Sequence, residues 1–175
     1  MRSGGSQQKG SAFERDVCKK LSLWISHDER EDIFWRSAMS GGRATVAMRD
    51  RNTKLSSQAG DISLVDPLGA EFITRFMIEC KFYKDLQLAV ALTKGKGKLI
   101  EFWNVAKEEA YTHGKLPILV AKQNRLPTMV VLPFEWTCDI GVNKVRATLW
   151  GVEAYVLAFD DFLGLAPTEV IESTP

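Results

Sequence analysis

Long apolar runs are absent from the sequence, cysteine is sparse, and positive and negative charges almost cancel. No apolar run approaches the length of a membrane span, so we expect no membrane partner. The three cysteines, Cys18, Cys80 and Cys138, are odd in number and widely separated. This spacing argues against a disulfide framework and a zinc site, and it is typical of a reducing compartment, by default the cytosol. The formal net charge of +1 leaves no global basic signature, so any binding of nucleic acid must depend on charge placed locally.

The composition is that of one compact domain. With 175 residues, 45% of them hydrophobic and 26% charged, the chain can bury a sizeable core, and no shift in composition marks a second domain. The first residues are polar and rich in glycine and serine. We therefore expect a flexible tail over residues 1–10, a single domain over residues 11–165 and a C-terminal tail over residues 166–175, in an α/β or α+β fold.

Apolar spacing predicts two long helices. Apolar residues recur at helical intervals near the start of the chain, which predicts a first helix from about Ser11 to Ser26. A second helix follows the basic stretch KGKGK and ends at His113 and Gly114, with the glycine as its C-terminal cap. The apolar faces of the two helices comprise, in chain order, Phe13, Val17, Leu21 and Trp24, and then Leu99, Phe102, Trp103, Ala106 and Ala110.

Short apolar segments predict the strands. Residues 33–35 suggest one strand, while PILVAK with PTMVVLP, and KVRATLW with EAYVLAF, suggest two further pairs. A Gly-, Ser- and Arg-rich segment after the first strand is typical of a long loop, and we expect it to be basic and mobile over residues 43–60. DISLV, the turn sequence DPLG and RFMIECKFY follow, and they predict a β-hairpin over residues 61–83. The predicted order is α-β-β-β-α-β-β with a β-rich tail.

One strand carries a charged pair in its middle. Because successive side chains of a strand point to opposite faces, Glu79 and Lys81 share one face of RFMIECKFY. A hairpin would bring Asp61, at the start of its first strand, beside both of them. The plain alternative is a structural ion pair on a solvated face. The convergence of two carboxylates and a lysine favours a functional site.

Such a cluster favours a divalent cation. Two carboxylates about 4 Å apart repel by roughly 4 kcal/mol at an effective dielectric constant near 20, so raised pKa values or a cation must hold them together. Oxygen ligands without nearby cysteine or histidine suit Mg²⁺ or Mn²⁺, and the backbone carbonyl of Cys80 could add a ligand. Lys81 could then orient or activate the attacking water and stabilise charge on a phosphoryl oxygen. The sequence thus predicts metal-assisted hydrolysis of a phosphodiester by Asp61, Glu79 and Lys81.

The order of these motifs resembles a known family. Asp61 followed by Glu79-Cys80-Lys81 is similar to the signature of PD-(D/E)XK nucleases, and GSAFERDVCKKL, RSAMSGG and GD resemble the helix, Ser-Gly-Gly loop and acidic position of archaeal-type and phage-encoded Holliday junction resolvases. The resemblance covers residues 10–132. It implies a central mixed β-sheet flanked by helices, with Glu14 as the acidic residue of the first helix and a further metal ligand.

The resemblance also implies a role for Ser40 near the scissile phosphate. The sequence Ser-Gly-Gly is, however, also common in loops that have no catalytic role. Glu14 has a structural alternative as well, because Ser11 and Glu14 have the spacing of a capping box at a helix start. Gly60 stands where the motif has proline, and we expect that change to cost little because the proline shapes a turn and does no chemistry.

Basic residues near the site are candidates for contacts with phosphates, although charged loops are usually just solvated. They are Arg36, Arg43, Arg49, Arg51, Lys54, Lys84, Lys96 and Lys98.

By resemblance, the chain is expected to be a DNA endonuclease selective for four-way junctions, acting as a homodimer in the cytoplasm of a bacterial or phage-infected cell. A two-fold dimer would supply the two active sites that paired cuts require. The alternatives are a restriction- or repair-type nuclease of the same fold acting on duplex or flapped DNA, and a DNA-binding protein with a vestigial nuclease site. Candidate interface residues are Phe102, Trp103, Trp136 and Trp150.

Overall fold

A five-stranded mixed β-sheet forms the centre of the structure, a computed structural model that describes residues 4–37, 60–136, 147–149 and 151–172. Its strand order is β3-β4-β5-β7-β6. The first two strands, β3 (Phe76–Tyr83) and β4 (Leu116–Gln123), are parallel. The antiparallel remainder comprises β5 (Met129–Pro133), β7 (Ala154–Ala158) and β6 (Ala147–Leu149). The mixed sheet of an α+β fold is confirmed.

A second, two-stranded sheet lies beside the first. It pairs β1 (Phe34–Arg36) with β2 (Ile62–Leu64) in antiparallel register, with Trp35 opposite Ser63. The strand predicted around residues 33–35 is therefore confirmed, and so are the β4–β5 and β6–β7 pairs.

The predicted hairpin over residues 61–83 is wrong. A 3₁₀ turn (Pro67–Gly69) and the helix α2 (Ala70–Arg75) separate β2 from β3, and the two strands belong to different sheets. The side chain of Asp66 accepts a hydrogen bond from the Leu68 N–H, so DPLG begins helical structure rather than a tight turn. Phe72 and Ile73 of α2 are buried, which fixes the helix against the core.

Helices cover both faces of the large sheet. The first, α1 (Gly4–Ile25), packs with Ile78, Cys80 and Val120 in one apolar cluster. The helices α3 (Leu88–Lys94) and α4 (Lys98–Thr112) cover the other face. Because Glu79 and Lys81 alternate with the residues facing α1, they lie on the face that α4 covers.

One of the two helix predictions needs correction at its start, and the short helices were not predicted. The first helix begins at Gly4, inside the expected tail over residues 1–10. No element was predicted over helix α3, whose Ala91 is fully buried. By contrast, α4 ends as predicted, with His113 as its C-cap and Gly114 at φ +66°.

The C-terminal residues include two short helices, α5 (Phe159–Leu163) and α6 (Pro167–Glu172). Val170 and Ile171 of α6 are buried in the α1-side cluster. Residues 167–172 are therefore packed structure, although they fall inside the predicted tail over residues 166–175. Within the described ranges, no helix is both long and apolar enough to cross a membrane.

Candidate functional site

Asp61 lies against the free edge of β3. Among the strands of the described residues, β3 is the outermost of the large sheet, with β4 on its other side. The Asp61 N–H donates to the Ile78 carbonyl oxygen at 2.9 Å, and the Cys80 N–H donates to Asp61 Oδ2 at 2.9 Å. Backbone and side chain of Asp61 thus both bind β3. The expected approach of Asp61 to the charged pair occurs, although between two sheets rather than within a hairpin.

Lys81 lies between the two carboxylates. Its Nζ donates to Glu79 Oε1 and is 3.9 Å from Asp61 Oδ2. The side chains of Asp61 and Glu79 are only 16% and 15% exposed, and that of Lys81 is 31% exposed. These three predicted residues therefore form one partly buried cluster with limited access to water.

Burial and charge shift the titration of this cluster. Burial, helped by the negative charge of Asp61, raises the pKa of Glu79 to about 7, against the opposing effect of Lys81. Burial lowers the pKa of Lys81, but the charge and hydrogen bond of Glu79 outweigh it and the net shift is upward. Lys81 is therefore charged at neutral pH, and Glu79 is near its titration midpoint. An added cation would favour the ionised form of Glu79.

The oxygen atoms at this edge suit a hard divalent ion. Backbone N–H and C=O groups of one strand residue point to the same side, so the Cys80 carbonyl points to the edge where its N–H meets Asp61. Among the residues that the structure describes, no three His, Cys, Asp or Glu side chains group as metal ligands. Two carboxylates, one carbonyl and water molecules nevertheless make a ligand set that Mg²⁺ commonly accepts. Asp61, Glu79 and Cys80 could hold such an ion.

Glu14 is paired with an arginine of the neighbouring small sheet. It lies in the middle of α1, where its Oε2 accepts a hydrogen bond from Arg36 Nε at 2.8 Å and lies 2.8 Å from Arg36 Nη2 in an ion pair. Both side chains are mostly buried. Because α1 is already helical well before Ser11, the capping-box alternative for Glu14 is wrong. The ion pair connects α1 to β1, and it engages the guanidinium that was predicted to contact DNA.

Glycine is required at position 60. The φ angle of Gly60 is +86°, and a Cβ there would lie 2.7 Å from the Ile78 carbonyl oxygen, the acceptor of the Asp61 N–H. Proline, whose φ is near −65°, cannot adopt this conformation. Glycine and proline are therefore not interchangeable in the backbone conformation found here. Ser37 adds to the same corner, since its N–H donates to the Asp61 carbonyl and its Oγ to the Gly60 carbonyl.

The predicted DNA-contacting residues fall into two groups. Lys84 and Lys96 are exposed, and Lys98, the first residue of α4, is 2.6 Å from Glu101. Arg36, paired with Glu14, also belongs to this described group. The remaining four lie outside the described residues, as does the predicted catalytic Ser40; they are Arg43, Arg49, Arg51 and Lys54.

Two aromatic residues beside the cluster were not predicted as site residues. Lys81 Nζ lies 5.9 Å from the centroid of the Phe102 ring, and the Tyr83 ring packs edge-on against Phe102 with centroids 5.4 Å apart. Strand alternation could have identified Tyr83, because it follows Lys81 by two positions on the same face. Phe102 had been assigned to the apolar face of its helix, and it also packs there.

Comparison with known proteins gives one match. No curated protein and no solved structure matches the chain. The model of one family, described as "Phage putative PDDEXK endonuclease", matches residues 5–171. This match spans nearly the whole chain, including Asp61, Glu79 and Lys81. The chain therefore belongs to a phage family of PD-(D/E)XK endonucleases, enzymes that generally use divalent metal ions.

Proposed function

We propose that this endonuclease uses Asp61, Glu79 and Lys81 to hydrolyse phosphodiester bonds in branched DNA, in particular four-way junctions, with Mg²⁺ or Mn²⁺ as cofactor. The observation that carries the proposal is the convergence of these three side chains at the free edge of β3. A merely structural ion pair would not require a second carboxylate that is bound to the same strand by both its backbone and its side chain.

Each residue has a role that follows from its position. Asp61 and Glu79, with the Cys80 carbonyl, hold the metal ion. When bound, a divalent ion lowers the pKa of a coordinated water and polarises a phosphoryl oxygen. Lys81 keeps its proton between the two carboxylates and stabilises negative charge that develops on the phosphate. Glu14 acts indirectly by orienting Arg36, which holds β1 and therefore the corner beside Asp61.

Substitution of the three residues tests the catalytic assignment. Asp61→Ala, Glu79→Ala and Lys81→Ala should each reduce cleavage by orders of magnitude while DNA affinity changes little, because phosphate contacts elsewhere position the substrate. Plasmid nicking with Mg²⁺ and filter binding in EDTA measure the two properties. Glu108→Ala, at an exposed position of α4, serves as the control. Near-native cutting by Glu79→Ala would refute the assignment.

The proposed branch selectivity rests on the resemblance of the upstream motifs to junction resolvases. The competing function is a nuclease that cuts ordinary duplex or flapped DNA, and the other alternative is a DNA-binding protein with a vestigial site. A panel of four-way, three-way, flapped and linear DNAs of equal length, incubated with Mg²⁺, separates these functions. A resolvase cuts the four-way junction in preference to the linear duplex, and a vestigial site cuts none.

A further inference from the structure

An aromatic and basic surface adjoins the proposed active site. Tyr83 is 46% exposed at the end of β3, on the face that carries Glu79 and Lys81. Its ring contacts Phe102 of α4, whose other neighbours anchor it to the core. Lys98 Nζ lies 5.2 Å from the Phe102 centroid and 5.9 Å from the Tyr83 centroid. Tyr83, Phe102 and Lys98 thus form one cluster, which we call the aromatic corner.

The aromatic corner is continuous with the catalytic cluster. Lys81 Nζ lies 5.9 Å from the same Phe102 ring that Lys98 approaches. Along the strand, Tyr83 is two residues beyond Lys81, a distance of about 7 Å. That distance corresponds to about two steps of a stacked DNA strand, at 3.4 Å per step. A nucleotide at Tyr83 would therefore be within about two positions of a phosphate at Lys81.

The chemistry of this corner suits an unpaired base. Aromatic side chains bind nucleobases by stacking, while a neighbouring cation contacts the phosphate of the same strand. The bases of a duplex are already stacked on one another and covered on both faces, so a paired base cannot use an aromatic ring outside the helix. Core packing explains Phe102, but it does not explain an adjacent tyrosine that keeps nearly half of its surface open to water.

We infer that the aromatic corner binds one unpaired nucleobase next to the scissile phosphate, with Tyr83 stacking on the base and Lys98 contacting its backbone. The inference rests on the proposed nuclease function and deepens it, because it names the substrate class: DNA with an unpaired nucleotide at a flap or at an opened branch point. Fully paired linear duplex lacks this contact.

A fluorescent base analogue tests the contact without any need for cleavage. The DNA is a flap in which 2-aminopurine replaces, one at a time, each unpaired base near the branch, and binding is followed in EDTA at low salt. Stacking on Tyr83 should quench the fluorescence at one or two adjacent positions. Tyr83→Phe keeps the ring and should preserve the quenching, while Tyr83→Leu keeps apolar contact with Phe102 and should abolish it.

The affinity of the same variants gives a second measurement. Tyr83→Leu should bind the flap about 5- to 150-fold more weakly than the native chain, the range for loss of one stacked base, with no change for blunt duplex. Tyr111→Leu is the matched control, since Tyr111 is a similarly exposed tyrosine near the other end of α4. Thermal melting of each variant verifies that it is folded.

Two outcomes would overturn the inference. One is native quenching and affinity in Tyr83→Leu, and the other is an equal loss of affinity for flap and blunt duplex, which would indicate a general structural effect. Neither outcome touches the proposed nuclease function, which depends on cleavage by the native chain and its loss in Asp61→Ala. A chain that cuts DNA but shows no quenching at any position refutes the aromatic corner alone.

Discussion

At the scale of single residues, the burial of Glu79 beside Asp61 determines how the metal-free site responds to pH. The pKa of Glu79 is about 7 in the folded chain and 4.5 in its ordinary state. A carboxyl group with a raised pKa contributes stability that is fully present below about pH 4.5 and is lost as the pH rises through about 7. At pH 8, where Glu79 must ionise, the metal-free chain therefore has a lower free energy of unfolding than it has at acidic pH.

We predict that Glu79→Gln is more stable than the native chain at pH 8 in EDTA. Glutamine has nearly the same shape but never ionises, so the variant does not lose stability as the pH rises. Its melting temperature should be higher by several degrees, since each kcal/mol is worth about 2 to 4 °C in a chain of this size. The difference should shrink towards pH 4.5. Melting curves across this pH range measure the effect.

Addition of Mg²⁺ should reverse that order. The cation favours ionised Glu79 and binds only the folded state, so it should raise the melting temperature of the native chain and leave that of Glu79→Gln nearly unchanged. Glu108→Gln, at an exposed site on α4, should show neither effect. A Glu79→Gln protein that melts below the native chain in EDTA at pH 8 would contradict the proposed cause.

A second residue-scale prediction concerns Gly60. Gly60→Ala places a Cβ against the Ile78 carbonyl oxygen, which must move and so weaken the bond that it accepts from Asp61. We expect a loss of stability above 1 kcal/mol and at least tenfold slower cleavage, with DNA affinity retained. Urea unfolding and single-turnover cleavage measure these effects.

Gly114→Ala is the matched control for that substitution. Gly114 also has a positive φ, of +66°, but a Cβ there would meet nothing within 4 Å. The two variants share the backbone strain and differ in the close approach. Equal cleavage defects in both would show that the contact between Gly60 and β3 is unimportant.

At the scale of elements, the sequence was sufficient where the signal was local and repeated. The apolar spacing of α4 and its glycine stop predicted that helix to within a residue, and the alternation of β3 placed Glu79 and Lys81 on one face. The helices α2 and α3 have only six and seven residues. Such short helices depend on tertiary packing rather than on propensity, so their own sequences indicated them weakly.

The pairing of β2 could not be read from the sequence because it is a non-local choice. DPLG contains the residues of a turn, yet Asp66 and Pro67 equally begin a helix, and the buried side chains of α2 decide between the two. Asp61 nevertheless lies beside Glu79 and Lys81, as predicted. Its backbone and side-chain bonds to β3 bring the carboxylate to the same edge that a hairpin would have provided.

The segment between Gly42 and Gly60 supports a prediction about charge. We expect its basic residues to contact phosphates, so changing all four to glutamine should reduce the slope of log affinity against log salt by up to about 4. Affinities for one junction at several salt concentrations measure this slope. The residues to change are Arg43, Arg49, Arg51 and Lys54.

The control removes the same number of charges from exposed positions on α1 and the β4–β5 turn. If the slope of log affinity against log salt falls equally in both quadruple variants, the effect is due to net charge rather than to the segment. The control residues are Lys9, Arg15, Lys19 and Arg125.

At the scale of the whole molecule, paired cleavage of a four-way junction requires two active sites. We predict a two-fold homodimer, so light scattering at micromolar concentration should give about twice the chain mass of 19.6 kDa. Trp103 cannot belong to the interface, because it is fully buried between α4 and the sheet. Phe102 is partly buried, while the side chain of Trp136 and residue Trp150 lie outside the described part.

Mixed dimers test the need for both sites. Native chains combined with Glu79→Ala chains should nick one strand of a junction, whereas native dimers make paired cuts. A control with native chains mixed at the same ratio keeps the total concentration constant. If the chain stays monomeric on junction DNA and cuts linear duplex as readily as the junction, it is a general nuclease rather than a resolvase.

The parallel pairing of β3 with β4 sets a time at which the enzyme can become active during translation. Phe76 pairs with Leu116, so the strand that bears Glu79 and Lys81 waits for a partner synthesised 116 − 76 = 40 residues later. At about 5 to 20 residues per second, that delay lasts roughly 2 to 8 s. A nascent chain that has exposed Asp61, Glu79 and Lys81 but not β4 lacks the sheet that orients them, so the ribosome-bound intermediate should not cut DNA.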